Sequence, residues 1–317
     1  MEAIKIGVVM DPIEKINTKK DSSFAMMLSA QKKNWEIYYI RPQDLYISDS
    51  QAHAISSRIS VIDEPESWFQ THNTQDTPLS YFDTILMRQD PPFNMDYIYV
   101  TYLLEMAEND GVLVVNKAAS IRDHNEKLFT SMFPQCCVPN LVSCNMQQLK
   151  QFVHDQQDVI LKPLDGMGGA SIFRVRANDP NLNVIIETLT EQGRKLSMAQ
   201  QFIPDIVNGD KRILLIDGEP VPFALARIPS KGETRGNLAA GGSAKGQPLT
   251  ERDYWICQQV GPTLKEKGLL FVGIDVIGDF LTEINVTSPT CIRELDQQFN
   301  LDIATDLMNI IEKKLRA

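Results

Sequence analysis

Short apolar runs alternate with stretches of helical spacing along the first third of the chain. Ile4 to Val9 reads as a buried strand carrying one glycine, Gly7. Phe24, Met27 and Leu28 recur at the spacing of one helix face, and Trp35 to Ile40 forms a second strand. Ile85-Leu86-Met87 and Val112 to Val115 read as two further buried strands, with a helix over Tyr97 to Ala107 between them. Strand and helix alternating in this way predict an open α/β sheet, here over residues 1–123. Ile47 to Ser80 is polar and irregular, which predicts a β-ribbon or loop insertion.

The pattern changes around Ser120 to Lys127. A central segment, 124–204, carries a glycine-rich turn, a helix near Leu182 to Gly193 and the strand Met198 to Ile203. A third segment, 205–317, opens with Lys211 to Ile216, an Asp217-Gly218 hairpin turn and Val221 to Ile228. Pro229 to Pro248 follows, holding Gly232, Gly236, Gly241, Gly242 and Gly246 and few apolar anchors. So long a stretch without regular structure is expected to be a functional lid. A helix over Glu251 to Lys267, a hairpin over Leu269 to Val286 and terminal helices complete the chain. The fold class is mixed, α/β at the N-terminus and α+β beyond it.

Composition narrows the functions. The 317 residues carry a formal net charge of -10, which argues against nucleic acid as the main partner. A small anionic ligand stays compatible, because a site can be locally basic on an acidic protein. No apolar run reaches the ~18 residues of a membrane span, and the N-terminus reads as a strand rather than a secretory signal. The expectation is a cytoplasmic protein with reduced cysteines. Cys136, Cys137, Cys144, Cys257 and Cys291 are odd in number and contain no CxxC pair. His53, His72, His124 and His154 lack zinc-like spacing.

Candidate chemistry begins at DVILKPLDGMGGASIFRV, Asp158 to Val175. An apolar strand ends at Lys162, and Gly166-Met167-Gly168-Gly169 leads into a second alternating strand. Glycines let backbone N–H groups approach an anion, and the lysine supplies a point charge for it. The order differs from the P-loop and from the dinucleotide fingerprint, where the glycines precede a helix. A glycine-bearing surface hairpin has the same signature.

A second constellation lies in the hairpin Phe271 to Val286. Alternation sets Asp275 opposite in face to Ile274 and Val276, and sets Glu283 and Asn285 opposite to Ile284 and Val286. An odd-length connection through Gly278-Asp279-Phe280 would bring Asp275 across from Glu283. Two carboxylates and an amide oxygen there make a hard-oxygen set suited to Mg²⁺. The same residues also fit a solvated polar sheet face. Asn285-Val286-Thr287 matches a glycosylation sequon, a reading disfavoured without a secretory signal.

Lys127, Lys162, the glycine turn and the Asp275, Glu283 and Asn285 set together resemble the ATP-grasp ligases. At closer range MDPI (Met10 to Ile13), KKDSSFAM (Lys19 to Met26) and LMRQDPPF (Leu86 to Phe93) resemble bacterial glutathione synthetase. So do GETRGNLAAGG (Gly232 to Gly242) and LTEINVTSPTCIRE (Leu281 to Glu294), and the likeness spans nearly the whole chain. The resemblance implies an ATP-grasp fold behind a Rossmann-like N-terminal domain. It implies a ligase that joins γ-glutamylcysteine to glycine through an acyl phosphate. ATP is then the co-substrate, with Mg²⁺, or Mn²⁺ in its place, as the metal.

By position in the motifs, Lys127, Lys162, Gly166, Gly168 and Gly169 would contact ATP phosphates. Gln200, Gln201 and Ile203 would meet adenine, largely through backbone, and Asp210 the ribose. Asp275, Glu283 and Asn285 would hold the metal. Arg212, Arg227 and the lid residue Arg235 would face the transferred phosphoryl group and bound substrate. Arg88 would hold a substrate carboxylate. Ser288 and Thr290, flanking Pro289, read as the capped start of a helix that could receive the carboxylate of glycine. The family also implies a homotetramer. One departure falls in the lid, where Ser243 stands in place of an expected arginine and Lys245 follows two positions later. Two other classes remain open: an ATP-grasp ligase with a different acceptor, and a nucleotide-binding regulator without catalysis.

Overall fold

The computed structural model describes residues 3–166, 169–230, 236 and 243–317, and three sheets organise them. The first is built from β1 (Lys5–Val9), β2 (Glu36–Ile40), β3 (Leu45–Ser48), β4 (Gln51–Val61), β5 (Phe69–Pro78), β6 (Thr84–Met87) and β7 (Leu113–Val115). Strands β2, β1, β6 and β7 run parallel, and the apolar runs that form them are buried throughout, as a sheet covered on both faces requires. The irregular stretch after Ile47 is a β-ribbon: β4 pairs antiparallel with β2, β3 and β5. Helix α1 (Ser22–Lys32) starts at Asp21, whose side chain accepts from Phe24 N–H, and α2 (Met95–Asn109) starts at Asn94 in the same way. The short α3 (Ala118–Asp123) ends this unit.

The second sheet has the order β10-β9-β11-β8, from β8 (Asn140–Ser143), β9 (Asp158–Pro163), β10 (Phe173–Arg176) and β11 (Ser197–Gln201). Helices α4 (Met146–Gln156) and α5 (Leu182–Leu189) cover it with Leu149, Val153, Ile186 and Leu189. The third sheet has the order β14-β13-β12-β15-β16. Its strands are β12 (Asp210–Ile216), β13 (Glu219–Ile228), β14 (Ser243–Pro248), β15 (Phe271–Ile277) and β16 (Phe280–Asn285). Asp217 (φ 50°) and Gly218 (φ 84°) turn β12 into β13, as the hairpin signal predicts. Gly218 is also required by a neighbour, because a Cβ there would lie 2.7 Å from the Gly261 carbonyl oxygen of α6 (Glu251–Glu266).

The terminal helices α7 (Ile292–Phe299) and α8 (Ile303–Leu315) tie the ends together. Ile292, Leu295 and Leu307 share one apolar core with Ile6 and Phe24 of the first unit and with Leu214 and Leu225 of the third sheet. Asn116, at the end of β7, donates to the Phe271 and Val286 carbonyls at 2.7 Å each and accepts from Phe271 N–H at 2.8 Å. The first and third units are therefore joined by core and hydrogen bonds alike, while the second sheet keeps a separate core.

The expected lid, Pro229 to Pro248, lies largely outside the described residues, at 231–235 and 237–242, and its end differs from the expectation. Its last six residues, Ser243–Pro248, form β14, paired antiparallel with β13 from Ser243↔Ile228 to Pro248↔Phe223. SAKGQP has no β-branched or aromatic residue, so nothing in its pattern marks a strand. Pairing with β13, and Gly246 N–H donating to Gln298 Oε1 at 2.6 Å, hold it.

Candidate active site

The second and third sheets enclose a cleft of about 430 Å³. Its walls include Lys162, Gly166, Gly169, Gln200, Gln201 and Ile203 from the second unit and Asp210, Arg212, Arg227, Asp275, Glu283 and Asn285 from the third. Residues 287–291 and Asp90 close one end. Most residues singled out in the sequence thus meet in one place. Gly168 and Arg235 lie outside the described residues.

Lys162 is the last residue but one of β9, and β10 returns antiparallel beside that strand, so the two form a hairpin whose Gly166 and Gly169 line the cleft as well. The Lys162 side chain is buried, and its Nζ has no hydrogen-bond or ion-pair partner among the described residues. Burial pulls its pKa below the ordinary lysine value. Lys127 differs: it is buried behind the lining, its Nζ donating to Glu126 and to the Gly166 carbonyl at 2.8 Å, with Glu283 at 3.5 Å. Burial works against its charge, but Glu283 and Glu126 outweigh burial and raise its pKa. Glu126, itself a lining residue, carries no motif in the sequence, and its place beside Lys127 is its only signal.

On the adenine side, Gln201 N–H donates to Pro139 O at 3.0 Å and Phe202 N–H to Asp158 O at 2.9 Å. Ile203 N–H, just past the end of β11, has no partner among the described residues. Arg174 stacks 3.5 Å over the Phe202 ring and grips Asp158 at 2.9 and 2.6 Å, which braces this wall from outside.

Asp275 and Glu283 are cross-strand partners, as expected, by a route that differs from the expectation. The turn is the two-residue Gly278-Asp279, and a bulge at Thr282 supplies the extra residue, its Oγ1 donating to Asp275 O at 3.1 Å. Arg212 Nε and Nη2 reach the two Asp275 oxygens at 2.5 and 3.0 Å, and Arg227 Nη2 reaches Oδ2 at 2.9 Å. Burial alone would raise the Asp275 pKa, but the two guanidiniums hold it well below the carboxylate range. Asn285 Nδ2 donates to Gly273 O and to Asp275 Oδ2, leaving Oδ1 without a partner among the described residues. Asp210 shares Arg227 with Asp275. Burial pushes Asp210 up, against Arg227 and with the help of Asp275 and Glu283, and its Oδ1 is buried without a partner among the described residues.

Two expectations need revising. Ser288 does not cap a helix: α7 starts at Ile292, after Cys291 in the left-handed region at φ 88°, and Ser288 Oγ donates to Asp90 Oδ1 at 2.6 Å. The Pro289 carbonyl accepts from Arg88 Nη2 at 2.9 Å, which anchors the non-helical segment before α7, where Ser288 and Thr290 line the cleft. Arg88 is itself buried outside the lining, its Nε donating to Ser23 Oγ at 3.0 Å, so its guanidinium already has protein partners. Lys245, two positions past Ser243, is exposed on β14 and is not a lining residue.

Residues 4–122 match the family model of the prokaryotic glutathione synthetase N-terminal domain, and residues 126–300 match that of the prokaryotic glutathione synthetase ATP-grasp domain. The chain belongs to the prokaryotic glutathione synthetase family. The glutathione synthetase of Pseudomonas putida is 60% identical over 315 residues, 99% of each chain. Those of Vibrio cholerae (59% over 314 residues) and Escherichia coli (57% over 313 residues) are likewise covered over 99% of both chains. Among solved structures, the D-cycloserine synthetase DcsG has a TM-score of 0.67 at 11% identity, covering 98% of this chain and 99% of that one. D-alanyl-alanine synthetase A from Vibrio cholerae has a TM-score of 0.59 at 11% identity, with both chains fully covered. At such identities these likenesses carry the fold alone, which is ATP-grasp. Among the described residues no helix is long and apolar enough to cross a membrane.

Proposed function

We propose that this glutathione synthetase family member makes glutathione by using ATP to activate the C-terminal carboxylate of γ-glutamylcysteine for attack by glycine. The observation that carries the reading is a buried ammonium, Lys162, with no partner among the described residues, sharing one cleft with Asp275, Glu283 and Asn285. A lone buried lysine is costly unless an anion meets it, and a nucleotide phosphate is that anion. Ile203 N–H suits an adenine ring nitrogen, and the orphaned Asp210 Oδ1 suits a ribose hydroxyl. Lys127 and the Gly166 and Gly169 backbone flank the phosphates.

Glu283 Oε atoms, Asn285 Oδ1 and Asp275 fit a small hard cation shared with phosphate oxygens, which makes Mg²⁺, or Mn²⁺ in its place, the fitting metal. When bound, that cation neutralises charge on the phosphates during transfer. Arg212 and Arg227, which grip Asp275 in the same wall, would offer fixed positive charge to the phosphoryl oxygens. The dipeptide carboxylate oxygen attacks the γ-phosphorus and ADP departs. The glycine nitrogen then attacks the acyl carbon, the amine proton is released, and phosphate leaves with the former bridging oxygen. Exclusion of water protects the acyl phosphate between the two steps; Arg235 is the proposed lid contact to it. Arg88 serves by anchoring Pro289, which sets Ser288 and Thr290 along the substrate end.

Phosphate release by the purified protein with ATP, γ-glutamylcysteine and glycine tests this. Turnover only with D-alanine or glutamate as acceptor points to a different ligase, and ATP binding without turnover on any acceptor points to a regulator. The reading also carries a cytoplasmic homotetramer, which sedimentation of the purified protein tests.

A further inference from the structure

The carboxylates of the cleft divide by what already holds them. Asp275 is gripped by two arginines, Glu126 and Glu283 flank Lys127, and Asp90 accepts from Ser288. Among the described residues, two that line the cleft keep a buried carboxylate oxygen with no hydrogen-bond partner: Asp210 Oδ1 and Glu294 Oε2. Asp210 belongs to the nucleotide end. Glu294 stands in the first turn of α7, three residues past Cys291, and lines the cleft next to the 287–291 residues at the other end. A desolvated carboxylate oxygen facing no donor is costly, so its retention in a binding cleft points to a cationic or donor group on a ligand. Burial raises the Glu294 pKa, while its own backbone N–H, the exposed Lys20 and Arg293 pull it down. Arg293 is already engaged with Asp63 at 2.7 Å, and neither cation hydrogen-bonds Oε2.

We propose that Glu294 receives the α-ammonium of the γ-glutamyl end of the dipeptide, and so selects substrates that carry it. This rests on the ligase reading above. The two other reactants fit poorly. ATP offers its only amine on adenine, which belongs with Ile203 at the opposite end. Glycine must attack as a neutral amine, and an ion pair with a carboxylate would stabilise its ammonium and oppose the attack. The dipeptide α-ammonium takes no part in the chemistry and remains charged throughout. A charge-assisted hydrogen bond to it favours binding without disturbing the reacting carboxylate.

The test compares γ-glutamylcysteine with glutarylcysteine, which lacks only the α-amino group, on the parent enzyme and on Glu294→Gln. Removing one charged hydrogen bond should raise the parent KM about 10- to 100-fold for the deaminated dipeptide. Glu294→Gln should raise the γ-glutamylcysteine KM by a similar factor, leave the KM values for ATP and glycine and the melting temperature near parent, and lose most of the discrimination. An altered glycine KM, or discrimination retained in Glu294→Gln, overturns the proposal. Glu294→Asp, keeping the charge on a shorter arm, should recover part of the selectivity. If the parent shows no turnover with γ-glutamylcysteine at all, the ligase reading fails and not the assignment of Glu294 alone.

Discussion

Arg212 and Asp275 are cross-strand partners on β12 and β15, and the guanidinium spans both carboxylate oxygens at 2.5 and 3.0 Å. Arg227 adds a third contact to the same carboxylate, so one buried anion holds two buried cations in the wall of the cleft. Removing one partner of such a group leaves uncompensated charge. Asp275→Asn is therefore expected to cost about 3–5 kcal/mol of stability as well as most of the activity. Chemical denaturation checks it, and an unchanged midpoint would mean that water already screens the arginines. The pH dependence follows from the sign of the shift. The Asp275 pKa is depressed on folding, so its stabilisation is complete above the unfolded value of about 3.9 and is lost as pH falls below it.

Lys162 gives the opposite balance. Its buried ammonium has no partner among the described residues, and burial lowers its pKa. The native state therefore resists holding that proton, and the ligand-free protein gains stability as pH rises through the depressed native pKa. Lys162→Met should raise the melting temperature of the free protein by a few degrees, since ΔΔG of about 1 kcal/mol moves it by roughly 2–4 °C at this size. The same change should raise the KM for ATP at least tenfold on an order-of-magnitude scale, from one lost charged contact. A thermal melt with and without ATP separates the two effects. A variant that is less stable yet binds ATP normally sinks the assignment.

The sequence made Lys162, Asp275, Glu283 and Asn285 legible because strand alternation settles which side chains share a face, and because charge on an otherwise apolar strand stands out. It did not disclose β14, since SAKGQP is held by backbone pairing and by the Gly246 contact with Gln298 rather than by side-chain preference. The misread Ser288 has the same cause. Ser-Pro-Thr suits a helix start locally, but Arg88, 201 positions away, takes the Pro289 carbonyl and delays the helix to Ile292. The common core of the first and third units was equally hidden, because it joins residues as distant as Ile6 and Leu307.

Asp210 connects stability to the nucleotide. Burial, with Asp275 and Glu283 adding repulsion, raises its pKa to about 7 despite the pairing with Arg227. A carboxyl whose folded pKa is raised contributes stability that is present below its unfolded pKa, about 3.9, and is lost as pH rises through the folded value. The ligand-free protein should lose melting temperature between pH 5 and about 8, and Asp210→Asn should flatten that slope while weakening nucleotide binding. Melting curves across that range decide it. An identical slope in Asp210→Asn assigns the titration to another group.

Glu283 is the test of the metal site. It sits opposite Asp275, is only partly buried, and has Lys127 at 3.5 Å as its one ion-pair partner among the described residues. Stability should therefore depend on it little, and Glu283→Gln is expected to melt within about 1 kcal/mol of the parent. Activity should respond strongly, because the lost charge is one of two carboxylates placed to position a divalent cation against the phosphates. Turnover should fall by about two orders of magnitude or more, with part of the loss recovered as Mg²⁺ or Mn²⁺ is raised. Near-parent rates at saturating Mg²⁺, in a variant that folds normally, would remove Glu283 from the metal site and leave Asp275 and Asn285 to account for it.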